Sequence, residues 1–571
     1  MIKMLYGESD FQKLRAGNYF YQDRTSFIKT LENWTSNYPV FLRPRRFGKS
    51  LFVSKLHYYY GLEYKDDFPM LFGNLYIGQQ PTQLANSYMV LRFEFSRIDT
   101  ATHESTYQGF LRNTLSGVRR FMAAYSSFFT AEQVERIETC KSPESVVNTL
   151  FDFMKQNKIP HKIYLLIDEY DHFANELLSF DFKRFIKDVS QNGFVRKVYE
   201  SFKAATSEGI IARLFITGVS PITMDSLTSG FNISDNISTN LVFHDMVGFT
   251  HQEVEDLLRG SEISEEKIPE MMTDLTEWYD GYRFASTAKQ PLFNPDMMLY
   301  FLKEYNIMGQ YPEVMLDMNV VSDYQKIRNI FKIGGAEIER YKLLEQLVQN
   351  GFIDFPLTRL YNLTATFSKN DFLSLLFYMG MLSFKEKSRL GWRCEIPNYV
   401  IKKLYFEYFT VVQLAKTRFA EDSSPIEEAI VALLDDGNPE PFFKTAEEIL
   451  LQHHSNRDEM AYAEKHLQTL LIGLLSPYQA YFIHSEYESA RTYPDIFLER
   501  IPDVPMEFEI VFELKYVKKS DEAKLSQIVT DAEVQLDGYM TSKRFARPDV
   551  RGFYGVFYCG TLYKWAEWGK Y

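Results

Sequence analysis

The feature that most constrains the fold is a short apolar segment that leads through a basic loop into a helix-forming segment. Tyr38–Leu42 has the pattern of a buried strand, and Gly48-Lys49-Ser50 stands directly before the helical pattern of Leu51–Tyr60. This is the arrangement of a phosphate-binding loop, whose N–H groups and helix N-terminus face the phosphates. In such a loop Lys49 reaches the β and γ oxygens and the Ser50 hydroxyl ligates Mg²⁺.

The loop departs from the general pattern G-x-x-x-x-G-K-S/T at its first position, where Arg43 stands in place of the glycine. The tripeptide alone is equally compatible with an ordinary helix start. The surrounding block is nevertheless strongly basic, since Phe41–Tyr60 contains no acidic residue and five basic ones: Arg43, Arg45, Arg46, Lys49 and Lys55. The block is therefore a candidate site for phosphate.

Two further strand ends favour a nucleotide site. Lys162–Ile167 is an apolar strand that delivers Asp168 and Glu169 at its C-terminal end, where ligands bind in parallel sheets. Asp168 would hold Mg²⁺ through water, and Glu169 would orient and deprotonate the attacking water. The strand Ile211–Thr217 places a hydroxyl at the same edge, so Thr217 could sense the γ-phosphate or simply begin a loop. A solvated strand end is the alternative for the two acidic residues.

Composition and charge narrow the class of protein. The 571 residues are 45% apolar and 24% charged, which suits several folded cores. A net charge of −13 argues against a protein that coats nucleic acid non-specifically. The longest apolar stretches, such as Leu470–Ile483, are too short and too interrupted to span a membrane. The acidic N-terminus predicts no secretion, and three distant cysteines predict no disulfide framework, so we expect a cytoplasmic protein without a membrane partner.

The order of predicted elements divides the chain into three parts. Residues 1–300 alternate strands and helices, which predicts an α/β fold with a parallel sheet between two helical layers. Residues 301–440 are mostly helical, and within them the helix and hairpin pattern of 371–396 is compatible with a small winged-helix module. Residues 441–571 read as helix, three strands, helix and strand, which predicts a second α/β domain.

The C-terminal part carries its own group of polar residues. In the predicted strand Met506–Val517, Glu513 and Lys515 share one face because side chains alternate. The short turn after the preceding strand, Tyr493–Glu499, places Asp495 opposite position 511 or 513. Two carboxylates and an amine at this spacing suit Mg²⁺-dependent phosphodiester hydrolysis, in which Lys515 holds the attacking water. A solvated strand face is the alternative that spacing alone leaves open.

The N-terminal motifs resemble the AAA-ATPase-like proteins of bacteria and archaea. The resemblance runs in order over about residues 5–300 and rests on these segments: Asn18–Thr25, Phe41–Ser50, Leu166–Asp171, Phe215–Ser220 and Trp278–Phe284. The arginine-rich loop is the usual form in that family, so the resemblance implies ATP and Mg²⁺ as cofactors. It makes the loop residues candidate nucleotide contacts, namely Arg43, Arg45, Arg46, Gly48, Lys49 and Ser50, together with Asp168 and Thr217. It also makes Arg283 a candidate sensor arginine.

The C-terminal motifs resemble the PD-(D/E)XK nuclease superfamily. They are Tyr493-Pro494-Asp495, Glu513-Leu514-Lys515 and a following helix with Gln535 and Tyr539. The resemblance implies that Asp495 and Glu513 bind a metal, that Lys515 is catalytic, and that Glu464 on the first helix supplies a further carboxylate. Gln535 would contact the site or the nucleic-acid backbone.

Two functions follow from the sequence. The first is an ATP-hydrolysing protein fused to a Mg²⁺-dependent nuclease, with nucleic acid as partner, DNA favoured over RNA, and the helical middle coupling the two. The second is a nucleotide-switched interaction or nucleic-acid-binding protein whose C-terminal domain does not cut. The sequence leaves open GTP in place of ATP, and it leaves open a homo-oligomer.

Overall fold

A computed structural model describes most of the chain. The described residues are 2–96, 98–180, 182–189, 193–223, 231–312, 314–317, 331, 337–358, 361, 367–415, 417–454, 464–478, 480–485, 493–501 and 506–570. They form two compact units: one comprises 1–307, 316–340 and 353–398, and the other comprises 308–315, 341–352 and 399–571. The division into 1–300, 301–440 and 441–571 stays a prediction. Within the described ranges, none of the helices is both long and apolar enough to cross a membrane.

The first unit is built on a five-stranded sheet whose described strands all pair in parallel. Its strands are β1 (Pro39–Leu42), β2 (Met89–Glu94), β3 (Ile163–Asp168), β4 (Ile211–Gly218) and β5 (Asp235–Asn236). The spatial order is β2-β3-β4-β1-β5, so β4 lies between the loop-bearing strand β1 and the acidic strand β3. The predicted parallel α/β sheet is confirmed.

Helices flank this sheet. They are α1 (Phe11–Ala16), α2 (Ser26–Glu32), α3 (Lys49–Tyr60), α4 (Phe68–Phe72), α5 (Tyr76–Gln79), α6 (His103–Ala124), α7 (Ala131–Glu138), α8 (Pro143–Gln156), α9 (His172–Phe180), α10 (Phe182–Val189), α11 (Phe194–Ser207), α12 (His251–Gly260), α13 (Ile268–Tyr279) and α14 (Pro295–Met308).

The core of the first unit explains why these elements form. All four residues of β1 and all six of β3 are buried, as expected for strands covered on both faces. Helix α3 packs aromatic rings on them, for example Tyr60 stacked on Tyr164 with centroids 4.6 Å apart. Because α3 begins at Lys49, this packing fixes the end of the loop against the sheet.

The middle of the chain contains the predicted helix followed by a hairpin. Helix α15 (Glu337–Asn350) leads to β6 (Phe352–Phe355), and helix α16 (Lys369–Tyr378) leads to the antiparallel pair β7 (Ser383–Ser388) and β8 (Gly391–Glu395). The three strands form a small sheet in the order β6-β8-β7. The prediction of a helix and then a hairpin is confirmed.

Two glycines fix where the segment around this hairpin sits in the first unit. Gly281 has φ +96°, and a Cβ there would lie 1.8 Å from the Pro397 carbonyl oxygen. Asn398 Nδ2 donates to the Asp280 carbonyl at 2.8 Å next to this contact. Gly380, which follows α16, has φ +77°, and a Cβ there would lie 2.6 Å from Cγ of Pro44 in the basic loop. The hairpin segment is therefore packed directly on the loop.

The second unit contains a five-stranded mixed sheet. Its strands are β9 (Tyr481–Ser485), β10 (Ile496–Arg500), β11 (Glu509–Val517), β12 (Val550–Tyr558) and β13 (Thr561–Glu567). Its helices are α17 (Tyr399–Leu414), α18 (Ser424–Asp435), α19 (Glu440–His454), α20 (Glu464–Leu475) and α21 (Leu525–Met540). The order is β13-β12-β11-β10-β9, with β11 parallel to β12. The sequence predicted each of these strands except β13, while most of the turn 501–505 lies outside the described residues.

The Gly281 contact generates a test of the packing. Gly281→Ala should lower the free energy of unfolding by the cost of a left-handed alanine, about 1–2 kcal/mol, plus about 1–3 kcal/mol for the clash with Pro397. Gly209→Ala is the matched control, because Gly209 has φ +70° and open space around its Cβ position. Urea unfolding of both variants measures the difference, and equal midpoints would contradict the close packing.

Candidate functional site

Lys49 binds carbonyl oxygens of the basic loop and so holds the loop in a tight turn. Lys49 is buried, and its Nζ donates to the carbonyl oxygens of Arg43 at 2.9 Å and Pro44 at 2.8 Å. Arg46 and Gly48 both have positive φ, +65° and +89°, which turns the chain into helix α3. Gly48 lies at the N-cap of α3, so the helix N-terminus with Ser50 in its first turn opens at the loop. A phosphate would meet here the groups that bind anions in proteins.

Arg43 replaces the glycine of the general pattern and has become part of the core. Its guanidinium lies between the rings of Phe41 and Phe284, 4.3 Å and 4.1 Å from their centroids. It donates to four carbonyl oxygens, those of Leu42, Ser238, Phe243 and His244. Burial lowers the pKa of Arg43 to about 9. The guanidinium, a predicted nucleotide contact, is thus committed to the backbone, and only the Arg43 carbonyl takes part in the loop.

The two other loop arginines lie nearer to the site. Arg46 forms an ion pair at 2.9 Å with Asp296, which stands at the start of α14 and also accepts from the Tyr6 hydroxyl at 3.1 Å. Arg45 is half-buried, and its positive charge acts on both Lys49 and Glu169. The loop therefore keeps one arginine beside the acidic strand end and holds the other on α14.

The acidic strand end meets the loop as the sequence predicts. Asp168 is buried at the end of β3, and its Oδ1 accepts from the Thr217 hydroxyl at 2.6 Å, so the predicted pair of adjacent strand ends is in contact. Glu169 has φ +49°, a strained backbone for this residue type. Burial raises the pKa of Glu169, against the opposing charges of Lys49 and His172.

A cavity of about 330 Å³ adjoins these groups. Gly48, Lys49, Ser50 and Glu169 are among the residues that line it. The lining also includes apolar side chains from several segments, among them Met4, Leu5, Phe20, Met246, Val247 and Leu299. A cavity that joins loop groups suited to phosphate with apolar side chains suits a nucleotide.

Arg283, the predicted sensor arginine, points to the hairpin. Its guanidinium contacts Glu395 on β8 at 3.5 Å, and its backbone N–H donates to the Ser383 hydroxyl at 2.7 Å. The motif that contains it therefore anchors the hairpin, and Tyr282 from the same motif packs edge-on against Phe47 of the loop at 4.9 Å.

The second unit brings its predicted residues together. Ile496 pairs with Phe512, so the register places Asp495 opposite Glu513. The Leu514 N–H donates to Asp495 Oδ2 at 2.7 Å, and Lys515 Nζ contacts Glu513 Oε1 at 2.6 Å. Lys515 Nζ also lies 3.5 Å from Glu464 Oε2 at the start of α20.

The electrostatics of this cluster suit a cation. Burial raises the pKa of Asp495 well above its usual value, and the nearby carboxylates of Glu513 and Glu464 add to the rise. Burial also raises the pKa of Glu513. Among the described residues, Glu513 Oε2 is buried without a partner in hydrogen-bond geometry, although the Tyr539 hydroxyl is near enough to lower its pKa. Burial lowers the pKa of Lys515, but Glu513 and its neighbours raise it overall.

Side chains of the cluster supply only part of the ligand set that Mg²⁺ needs. No three His, Cys, Asp or Glu side chains converge into a complete metal site within the part of the chain that the structure describes. Asp495 and the unsatisfied oxygen of Glu513 are hard oxygen ligands, and Mg²⁺ commonly takes one or two carboxylates and completes its shell with water or substrate. The residues therefore fit the ion, with Glu464 at the rim of the cluster.

Sequence reasoning missed Gln468, and it named Tyr539 in the C-terminal motif without giving it a role. Gln468 Nε2 donates to the Asp495 carbonyl, and the Tyr539 hydroxyl donates to the Tyr493 carbonyl at 3.1 Å. Gln468 follows Glu464 by four residues on one helix face, which is the signal that could have identified it. Gln535, a predicted contact, lies exposed on α21.

Comparison with known proteins agrees with both resemblances. Residues 5–228 match the family model described as "Predicted AAA-ATPase", and residues 462–560 match the PD-(D/E)XK nuclease superfamily. The chain therefore carries an AAA-ATPase-like domain and, nearer its C-terminus, a PD-(D/E)XK nuclease superfamily domain.

Individual relatives are more distant. A curated protein of Azotobacter chroococcum mcd 1, described as "Uncharacterized protein in vnfD 5'region", is 26% identical over 308 residues, or 53% of this chain and 52% of that protein. The chain thus spans about half the length of the curated relative it matches. Among solved structures, the Walker-type ATPase paby2304 of Pyrococcus abyssi is similar with a TM-score of 0.36 and 12% identity, covering 71% of this chain and 98% of that one.

The carboxylate cluster predicts a response to metal without nucleotide. Saturating Mg²⁺ should stabilise the protein, by about 2.7 kcal/mol at one hundred times the dissociation constant. Asp495→Asn should abolish the gain because it removes a ligand while its amide oxygen still accepts from the Leu514 N–H. Asp531→Asn, on the exposed side of α21, is the control that should keep it. Thermal unfolding with and without EDTA measures the shift, and an equal gain in both variants would place the metal elsewhere.

Proposed function

We propose that this chain binds and hydrolyses ATP at the basic loop and hydrolyses nucleic-acid phosphodiesters at the carboxylate cluster. One kind of observation, made in each unit, supports the two activities. Each sheet brings carboxylates beside a lysine, Asp168 and Glu169 with Lys49 in one unit and Asp495 and Glu513 with Lys515 in the other. The family models that cover these two regions support the same assignment.

At the loop, the roles follow from position. Lys49 exchanges the carbonyls of Arg43 and Pro44 for phosphate oxygens, which are stronger partners for an ammonium group. Ser50 and Asp168 would hold Mg²⁺, which would supply positive charge next to the phosphates. Glu169, whose pKa is raised by burial, is placed to take a proton from the attacking water. The apolar side chains that line the cavity would contact the base, and the family description favours adenine over guanine.

At the cluster, Asp495 and Glu513 hold Mg²⁺, which when bound polarises the phosphodiester and stabilises the charge of the transition state. The Leu514 N–H keeps the Asp495 carboxylate oriented towards β11. Lys515, which is paired with Glu513, would position the attacking water. The proposed substrate is DNA, and the proposed location of the protein is the cytoplasm. The proposal holds for a monomer and for a homo-oligomer alike.

Direct contacts connect the basic loop of the proposed ATP site with the segment that carries the β7–β8 hairpin. Gly380 contacts Pro44 and Tyr282 contacts Phe47, so any movement of the loop on phosphate binding reaches the segment 380–384 directly. We propose that this segment reports the nucleotide state and thereby regulates the nuclease.

A second candidate function has its own observation. Lys515 is held by both Glu513 and Glu464, and a lysine so paired is withheld from positioning an attacking water, as expected of a domain that does not cut. In this alternative the protein is a nucleotide-switched binding protein. Measured cleavage by the wild type decides between the two.

The first test separates ATP binding from hydrolysis. Lys49→Ala should abolish ATP binding because the phosphates lose their cation, whereas Glu169→Gln should bind ATP and lose hydrolysis by about 100-fold or more. Lys65→Ala, at an exposed position, should change neither. Calorimetric titration with ATP and a phosphate-release assay give the two readouts. Equal ATP affinity in wild type and Lys49→Ala would refute the phosphate-loop assignment.

The second test concerns the cluster. Lys515→Ala should lower Mg²⁺-dependent cleavage by about 100-fold or more because the water loses its positioning group, and it should leave the ATPase rate unchanged. Lys518→Ala, at an exposed residue just beyond the same strand, should behave as wild type in both assays. If wild type cuts and Lys515→Ala cuts equally well, Lys515 does not position the attacking water and the assignment of the cluster as the nuclease site is wrong.

A further inference from the structure

The tip of the β7–β8 hairpin carries two positively charged side chains that are not paired within the part of the protein that the structure describes. Lys387 and Arg389 are exposed there, and among the described residues neither side chain has an ion pair or hydrogen bond. Leu390, the apolar residue between Arg389 and β8, is 67% exposed. The tip therefore presents two cations and one apolar side chain to solvent.

The other charged side chains of the same hairpin are all paired. Lys385 contacts Glu395 at 2.7 Å, and Arg393 bridges Asp354 and Glu386 at 2.9 Å each. These pairs cancel within the body of the hairpin. The unbalanced charge is therefore positive and is confined to the tip.

The helix that precedes the hairpin is not available for recognition. In α16 every residue from Phe372 to Tyr378 is buried. Phe372 packs on Phe331 at 5.0 Å, and Phe377 packs on Phe384 of β7 at 4.4 Å. A helix covered on all sides cannot enter a groove of DNA, so a partner of this segment has to be met by the hairpin tip.

We propose that this tip, Lys387 to Leu390, contacts the phosphate backbone of duplex nucleic acid, with Leu390 directed at the groove edge. The proposal rests on the proposed nuclease function, which supplies a polyanion as substrate. Two cations suit phosphates flanking a groove, and exposed apolar side chains are used at such edges. Because the contacts are to phosphates, binding through the tip is independent of base sequence.

The test is duplex binding without cutting. Fluorescence anisotropy of the full-length protein with a labelled duplex in EDTA, over a series of salt concentrations, should give a slope of log affinity against log salt. In the double variant Lys387→Gln/Arg389→Gln this slope should be shallower by about 1.8, and affinity at low salt should be at least about tenfold weaker. The matched control is Lys65→Gln/Lys141→Gln, which removes two exposed lysines of the same unit and should behave as wild type.

Equal binding by wild type and the tip variant would overturn the proposal, and so would a wild type that does not bind duplex at all. A loss shared by the control variant would also overturn it, since net charge alone would then be the cause. The nuclease proposal is tested separately by adding Mg²⁺. Tip-dependent binding without any cleavage would reject the nuclease and retain the tip.

Discussion

A lysine amine stays buried only if it has partners, and the arrangement of the first unit follows from how Lys49 finds them. Its Nζ binds the carbonyls of Arg43 and Pro44, which holds the loop in a closed curve without a phosphate. Arg43 in turn is fixed by four backbone carbonyls, and Pro44 lies against Gly380. The loop, the core behind β1 and the hairpin segment are therefore joined through two buried cations, Lys49 and Arg43, and through the contact of Pro44 with Gly380.

In the second unit the buried charges that need partners are carboxylates rather than an amine. Asp495 and Glu513 are drawn out of water by the pairing of β10 and β11, and burial raises the pKa of both. Lys515 compensates for part of this cost by pairing with Glu513. One Glu513 oxygen remains buried without a partner in hydrogen-bond geometry, among the residues described, which makes the cluster ready to accept a cation. Both units thus store an incomplete charge balance that a ligand would complete.

Local patterns in the sequence predicted the strand ends and the carboxylate cluster that carry these charges. The apolar run before Asp168 identified β3, and the alternation in Met506–Val517 placed Glu513 and Lys515 on one face. The turn length predicted that Asp495 could face position 513, and the register confirms it. These features depend on residues close together in the chain, where periodicity and turn geometry carry the information.

Features that depend on distant contacts were not predictable. Three of the four carbonyls that hold Arg43 come from residues about two hundred positions away, so no local pattern indicates that its guanidinium turns inwards from the loop. The Asp296 partner of Arg46 and the contact between Pro44 and Gly380 are equally remote. Strand β13 was missed because its residues alternate poorly between buried and exposed, as is common at a sheet edge.

The central claim is that one chain hydrolyses ATP and cuts nucleic acid at two separate places. The most direct measurement incubates the purified protein with Mg²⁺ and linear DNA, circular DNA or RNA, with and without ATP, and follows strand cleavage and phosphate release in the same samples. We expect Mg²⁺-dependent phosphate release from ATP, and cleavage of DNA whose rate changes when ATP is present. Phosphate release without cleavage of any substrate, under both conditions, would contradict the account and leave the C-terminal domain as a binding module.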